Sequence, residues 1–266
     1  MKRIKFAVIG MGFIWPRHKQ AIESLGGEVY LTCDIDKTKN PDFTDWVEMF
    51  NHPKFKEVDI VSILTPNYLH AVIAREAVLK GKRVLCEKPL TLSSEECLTL
   101  SDNVFTVLQL RHHPEVIRLK NELKGKHKVG LVVKVKRDKD YWEGWKGQNE
   151  KSGGILFNLG IHYFDLLIHL FGKEYKVIDS LCLNRSAGGE LDFNGTICNY
   201  YMEIMPDNKE QDRYLVIDGK RINLSKQDNL SFEDLHLEVY KDLMQGKGVL
   251  PSEAIKSIKL VEKLCR

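Results

Sequence analysis

Between residues 4 and 25 the hydrophobic period of the chain changes once, at Gly10-Met11-Gly12. Residues 4–9 are a short, largely apolar run with the character of a strand. After the glycines, Phe13, His18, Ala21, Ile22 and Leu25 recur at helical spacing. A strand that turns into a helix over glycines leaves backbone N–H groups at the positive helix end, where a pyrophosphate can approach them closely. The turn therefore predicts a dinucleotide site built from Gly10, Gly12, Phe13 and Ile14. The third small position of such a turn is occupied by Trp15, whose ring either alters helix–strand packing or lies over the cofactor.

The same alternation continues downstream. Gly26-Gly27 closes the helix, 28–33 is rich in strand formers, and Asp34-Ile35-Asp36 follows. Asp34 lies 22 positions after Gly12, where a carboxylate accepts both ribose hydroxyls of the adenosine half and repels a 2′-phosphate. With no adjacent Arg, this favours NAD over NADP; Asp36 is the competing assignment. Residues 59–64 read as a buried strand ended by Thr65-Pro66-Asn67, 69–80 as a helix stopped by Gly81, and 83–86 as a strand opening into Glu87-Lys88-Pro89. One further strand falls in 102–110. Strands alternating with helices over short connections predict an α/β Rossmann domain, a doubly wound parallel sheet over residues 1–109.

Beyond residue 109 the pattern changes. After a helix over 114–124, the segments 128–136, 177–183, 195–204 and 214–217 read as strands without a helix after each. Residues 155–171 are apolar with helical spacing, and 252–265 form an amphipathic helix. These predict an α+β domain with an open, mostly antiparallel sheet over 110–266, serving substrate binding and oligomerisation. A sheet face uncovered by its own helices exposes apolar area, so a homodimer or homotetramer is expected.

Forty basic against 37 acidic residues leave a formal charge of +3. The Lys/Arg-dense stretch over 120–139 reads as a solvated helix end and a strand's outer face, so neither a nucleic-acid nor a membrane partner is expected. Cys33, Cys86, Cys97, Cys182, Cys198 and Cys265 form no C-x-x-C pair and no metal-type spacing with histidine. No metal site is expected, and the thiols point to a reducing, cytoplasmic location. The first residues lack the apolar run of a signal peptide, and no segment reaches the ~18–20 apolar residues of a membrane span.

Two loops and one helix carry the candidate chemistry. Thr65-Pro66-Asn67 and Glu87-Lys88-Pro89 both end parallel strands, the edge at which such sheets bind ligands. Lys88 precedes proline, which restricts its backbone and admits a cis Lys-Pro bond; the bland alternative is a solvated lysine paired with Glu87. On the apolar helix, Asn158-Leu159-Gly160-Ile161-His162-Tyr163-Phe164-Asp165 sets His162 and Asp165 at i, i+3, so that both point to one face. A buried structural His–Asp pair is the alternative there.

Taken together, Gly10-x-Gly12, Thr65-Pro66-Asn67 with His70, Glu87-Lys88-Pro89 and Gly160-x-His162-x-x-Asp165 resemble the Gfo/Idh/MocA family of oxidoreductases along almost the whole chain. The resemblance implies that Lys88 and His162 meet at the nicotinamide, and that Thr65, Pro66, Asn67, His70, Glu87 and Lys88 join the glycine turn and Asp34 in holding NAD. Pro16-Arg17-His18, Pro66-Asn67-Tyr68-Leu69-His70, 108–113 and Trp145-Lys146-Gly147 are similar to the branch that oxidises UDP-N-acetyl-2-amino-2-deoxyglucuronate at carbon-3 in bacterial surface-polysaccharide synthesis. For such a nucleotide sugar, Arg17, Lys88, Arg111, Trp145, Lys146, Asn158 and His162 are the expected substrate contacts, and Tyr141 and Trp142 are further aromatic platforms. The chain is shorter than the family pattern over 88–108 and at its C-terminus, which implies missing peripheral helices.

Oxidation of a secondary alcohol needs a base for the hydroxyl proton while the hydride leaves the same carbon. Lys88, neutralised by desolvation and a nearby nicotinamide cation, or His162 fills that role, with Asp165 as an orienter of the histidine. The alternatives are a family dehydrogenase of another sugar or an inositol, and a redox-inactive NAD-binding regulator; the intact Lys88 and His162 argue against the regulator.

Overall fold

A computed structural model describes residues 3–206, 211–224 and 232–265, and the chain divides into two compact units. The first contains a parallel sheet in the order β2-β1-β3-β4-β5, with β1 Lys5–Ile9, β2 Glu28–Cys33, β3 Ile60–Ile63, β4 Arg83–Cys86 and β5 Val104–Thr106. β3 is buried at every position, as a strand covered on both faces must be, which is why its sequence is a continuous run rather than an alternation. The helices Trp15–Ser24 and His70–Leu79 follow β1 and β3. Trp15 opens its helix and, half-buried, packs against the core cluster that includes Phe6, Ile22 and Leu85.

This unit does not end at Gln109. It comprises 1–91, 95–109 and 233–255, so the expected single division after residue 109 is replaced by one in which the chain returns. The returning helix Phe232–Met244 places Val239, Tyr240 and Leu243 in the core cluster, and the Tyr240 hydroxyl bonds to Ser62 Oγ at 3.0 Å. Val249 then pairs with Thr106.

The second unit comprises 92–94, 110–232 and 256–266. Its six-stranded sheet runs β11-β10-β6-β9-β8-β7, with β6 Lys128–Lys136, β7 Lys176–Cys182, β8 Ser186–Phe193, β9 Thr196–Met205, β10 Asp212–Ile217 and β11 Lys220–Asn223. The β6–β9 pair is parallel, and the other four pairs are antiparallel. In β6, Val129, Leu131, Val133 and Val135 alternate inward, the period of a sheet covered on one face. The helix Ile161–Phe171 lies on that covered face, with Phe164 edge-on to Tyr200 at 5.2 Å between ring centroids. Gly160 permits the approach: a Cβ there would meet the Phe164 ring at 2.9 Å and the Met202 sulfur at 3.2 Å. On the edge strand β7, Ile178 and Leu181 are exposed. The helical stretch Asn149–Phe171 is long and apolar enough to cross a membrane, but 72% of its window is buried inside the protein, as in a core helix.

Candidate functional site

In the first unit the glycine turn is shaped by what surrounds it. Gly10 has φ +98°, and a Cβ there would stand 2.6 Å from the Leu64 carbonyl oxygen; only glycine fits. At Gly12 a Cβ would meet nothing within 4 Å, so the backbone there faces open space that a ligand can enter. Phe13 is 82% exposed, with the Arg17 guanidinium 5.6 Å from its ring centroid, and Ile14 stands just before the helix with no side-chain capping bond.

Asp34 sits beneath this turn. Its Oδ2 accepts the Met11 N–H at 2.6 Å and Lys39 Nζ at 3.0 Å, while Oδ1 accepts the Asp36 N–H at 2.9 Å. Burial alone would raise its pKa, but the bonds from Asp36, Met11 and Lys39 outweigh that and hold it below the usual range. Asp36 instead caps the 3₁₀ turn Lys37–Lys39. The structure thus separates two aspartates that spacing alone left in competition, and it supplies a cation, Lys39, that a search for an adjacent Arg overlooks. Open backbone over Gly12 with a buried carboxylate at the end of β2 fits the adenosine half of a dinucleotide.

The strand-end loops are joined by His70. Its Nε2 lies 2.9 Å from the Thr65 carbonyl oxygen and its Nδ1 2.6 Å from that of Pro89. Carbonyls only accept, and burial keeps the ring's pKa low, so a neutral His70 donates to one loop at a time. Fully buried, His70 ties the Thr65-Pro66-Asn67 loop to Glu87-Lys88-Pro89 and presents no surface to a ligand. Asn67 is buried, Thr65 and Pro66 are half-buried, and Lys88, half-buried, precedes a cis bond to Pro89.

In the second unit the helix that carries His162 and Asp165 places them one turn apart. Both Asp165 oxygens face Arg111, at 2.9 Å to Nε and 2.8 Å to Nη2, and both side chains are nearly buried. Helix spacing alone did not reveal this partner, because Arg111 comes from the separate 3₁₀ turn Gln109–His112. Asn158 Nδ2 donates to the Tyr141 hydroxyl at 2.6 Å. Tyr141 is in turn flanked by two cations, Arg137 at 5.4 Å and Lys146 at 5.7 Å from its centroid, and Lys146 lies equally far from Trp145. Burial and Arg137 both depress the Lys146 pKa. Beside this cluster is a cavity of about 400 Å³ lined by Arg137, Lys139, Trp142, Glu143 and Arg185 among others, with Arg185 4.7 Å over the Trp142 ring. Arg137 and Arg185 escaped the sequence reading because they come from different strand ends that only the folded sheet brings to one cavity.

Residues 4–104 match the oxidoreductase-family pattern described as an NAD-binding Rossmann fold, and 125–182 match that family's C-terminal alpha/beta domain. Among solved structures, the chain is similar to the WlbA (WbpB) dehydrogenase of Thermus thermophilus in complex with NAD and alpha-ketoglutarate. It is 32% identical at a TM-score of 0.88, covering 98% of this chain and 94% of that one. The same enzyme in complex with NAD and UDP-GlcNAcA matches at 31% identity and a TM-score of 0.88, covering 99% and 95%. Among curated relatives, an uncharacterised oxidoreductase of Synechocystis is 36% identical over 202 residues, 66% of this chain and 53% of its own length. The 2,7-anhydro-N-acetylneuraminate hydratase of Escherichia coli is 24% identical over 210 residues, 72% and 54% respectively. The chain thus spans about half the length of the curated relatives it matches and nearly all of the solved ones. With both family patterns in sequence and a parallel sheet whose glycine turn and Asp34 fit the NAD-binding half, this chain belongs to the Gfo/Idh/MocA family of NAD-binding oxidoreductases.

Proposed function

We propose that the chain is an NAD-dependent dehydrogenase that oxidises a secondary hydroxyl of a nucleotide sugar, namely carbon-3 of UDP-N-acetyl-2-amino-2-deoxyglucuronate, for bacterial surface-polysaccharide synthesis. The observation that carries this reading is the likeness, along nearly the whole chain, to an enzyme crystallised with NAD and UDP-GlcNAcA, in a chain that keeps Lys88, His162 and Asp165. The cavity with Arg137, Lys139 and Arg185 against Asp138 and Glu143, and with Trp142 in its wall, supports an anionic ligand that also carries a ring.

NAD supplies the hydride acceptor. The work left to the protein is to place the sugar hydroxyl and take its proton, and Lys88 is the proton acceptor in this reading, with His162 as its partner. Asp165 acts on Arg111: its bidentate hold fixes the guanidinium for a uronate carboxylate or a diphosphate. Arg17, Trp145, Lys146 and Asn158 complete the proposed substrate contacts. Gly10, Gly12, Phe13, Ile14, Asp34, Thr65, Pro66, Asn67, Glu87 and Lys88 hold the cofactor, and His70 serves as the tie between the two loops. The exposed apolar side chains of β7 favour a homodimer or homotetramer. The described cysteines are all free thiols, in keeping with a cytoplasmic site of action.

Turnover is tested by following NADH at 340 nm with UDP-GlcNAcA against free sugars. Turnover of the UDP-sugar, with UDP as a competitor, is expected; turnover of free sugars that UDP leaves untouched would reassign the substrate. Lys88→Met should lower kcat ~10²- to 10⁴-fold, the usual worth of a positioned acid–base group, while NAD and sugar still bind. His162→Asn should cost less if it only supports the lysine. Near-normal turnover in both variants would remove this active site.

A further inference from the structure

Glu87 stands immediately before Lys88, at the end of β4, with its side chain only 12% exposed. Its two oxygens face different ways. Oε2 accepts the Lys88 backbone N–H at 3.2 Å, whereas Oε1 lies 3.0 Å from His18 Nε2 and 3.6 Å from His236 Nε2. His18 and His236 are buried and meet edge-to-face at 5.1 Å between centroids. On the far side of His18, Nδ1 is 2.9 Å from the Tyr240 hydroxyl, which is 3.0 Å from Ser62 Oγ. All of these residues belong to the first unit, although 18, 62, 87 and 236–240 lie far apart in the chain.

The polarity of this chain of bonds follows from its members. Burial would raise the Glu87 pKa, yet the bond from His18 and the neighbouring His236 ring overcome it and hold the group well below the usual range, so Glu87 is a carboxylate and only accepts. His18 Nε2 therefore carries the proton. Burial outweighs Glu87 at His18 and keeps the ring neutral, which leaves Nδ1 as an acceptor. Tyr240, kept a phenol by burial, donates to it and accepts from Ser62. Donors thus run one way, from Ser62 through Tyr240 and His18 into Glu87, and the other oxygen of Glu87 holds the Lys88 amide. A buried polar chain with each of these members satisfied is rigid, and one with a member removed is costly.

We propose that His18, His236 and Tyr240 are positioning residues for Lys88, acting through the Glu87 carboxylate to fix the backbone from which the lysine side chain extends. The proposal rests on the reading of Lys88 as the proton acceptor, but its structural half can be read without turnover. Protein labelled with ¹⁵N-lysine, with the Lys88 amide assigned by its loss in Lys88→Met, reports hydrogen exchange at that one amide. In Tyr240→Phe, which keeps the ring and deletes only the hydroxyl, and in Glu87→Gln, which turns an NH₂ group toward either the Lys88 amide or the histidines, exchange at Lys88 should quicken at least ~10-fold. Lysine amides elsewhere should keep their rates.

In turnover, Tyr240→Phe should lower kcat ~3- to 10-fold, with KM for the sugar and Kd for NAD within about twofold of the parent, and Glu87→Gln should lower kcat more. His18→Phe should behave like Glu87→Gln. His18→Gln, whose amide can donate to Glu87 and accept from Tyr240, should recover most of the loss. Unchanged Lys88 exchange in both Tyr240→Phe and Glu87→Gln overturns the proposal, as does a loss in Tyr240→Phe that appears in KM and Kd rather than in kcat. One equivalent of metal in the purified protein that is lost in His18→Phe would also overturn it, because a cation at Nε2 reverses the donor chain. If instead Lys88→Met turns over normally while the exchange results hold, the catalytic reading of Lys88 fails and the tie to its backbone stands.

Discussion

In the proposed cofactor site Asp34 has two tasks that pull against each other. It must stay free enough to meet a ribose, yet it already accepts from Met11, Asp36 and Lys39. Removing it deletes the repulsion of a 2′-phosphate and releases the ammonium of Lys39 from its partner. Asp34→Ala should therefore narrow the preference for NAD over NADP by more than loss of repulsion alone, and Lys39→Ala added to it should withdraw the gain in NADP affinity. Titration of both cofactors by quenching of intrinsic fluorescence measures this, and additive single effects would show that Lys39 plays no part. The buried histidines make a second residue-scale prediction. His18, His70 and His113 all have pKa values depressed, chiefly by burial, from the ordinary imidazole value of about 6.5. The unfolded chain binds more protons than the fold as pH falls through that value, so the stability they contribute is present above about pH 6.5 and is lost below it. The Tm should be level near pH 7–8 and fall toward pH 5, with a shallower fall in His18→Gln. A Tm that rises on acidification would mean that the fold, not the unfolded chain, takes up the protons.

At the scale of elements, the second unit's sheet explains both what was read and what was missed. β6 alternates clearly and is legible, whereas β8 contains Gly188-Gly189 and follows Arg185, a composition that resembles a turn. Only pairing with β7 and β9 on its two sides makes it a strand. The edge strand β7 leaves Ile178 and Leu181 55% and 62% exposed, and exposed apolar area along an edge invites association. Leu181→Glu should reduce the assembled mass in light scattering at micromolar protein while leaving Tm nearly unchanged, since no core side chain is touched. A parent protein that is already monomeric would remove this assignment of the edge.

For the whole molecule the consequential feature is the returning helix Phe232–Met244. Among the described residues Tyr240 is the largest fully buried side chain, packed edge-on to Phe6 at 5.7 Å and bonded to Ser62 and His18. Its truncation to Ala should cost about 3–5 kcal/mol, the range for large aromatic cores, and weaken NAD binding along with stability. By the same argument, a fragment ending at residue 109 should not fold cooperatively by chemical denaturation, because the residues that close its core come after residue 232. A cooperative transition in that fragment would show the return to be dispensable.

Periodicity and breakers were enough to place β1, β3, β4, the glycine turn and the two loops of the first sheet, because each is specified by neighbours within a few residues: a buried run, a Gly that must adopt positive φ, a Pro just after a strand. The Glu87-Lys88-Pro89 and Gly160-Ile161-His162 motifs were legible in the same way. No local pattern could show that Arg111 would meet Asp165, that Arg137 and Arg185 would line one cavity, or that His18, His236 and Tyr240 would converge on Glu87. Those groupings join residues 48 to 222 positions apart, and they exist only where strand order and the return of the chain bring them together. The sequence by itself determined which elements form and which side chains could carry chemistry. Tertiary packing decided which of those side chains meet, since the histidines that the fold brings to Glu87 keep it charged against its burial, and that carboxylate in turn sets the tautomer of a buried, neutral His18.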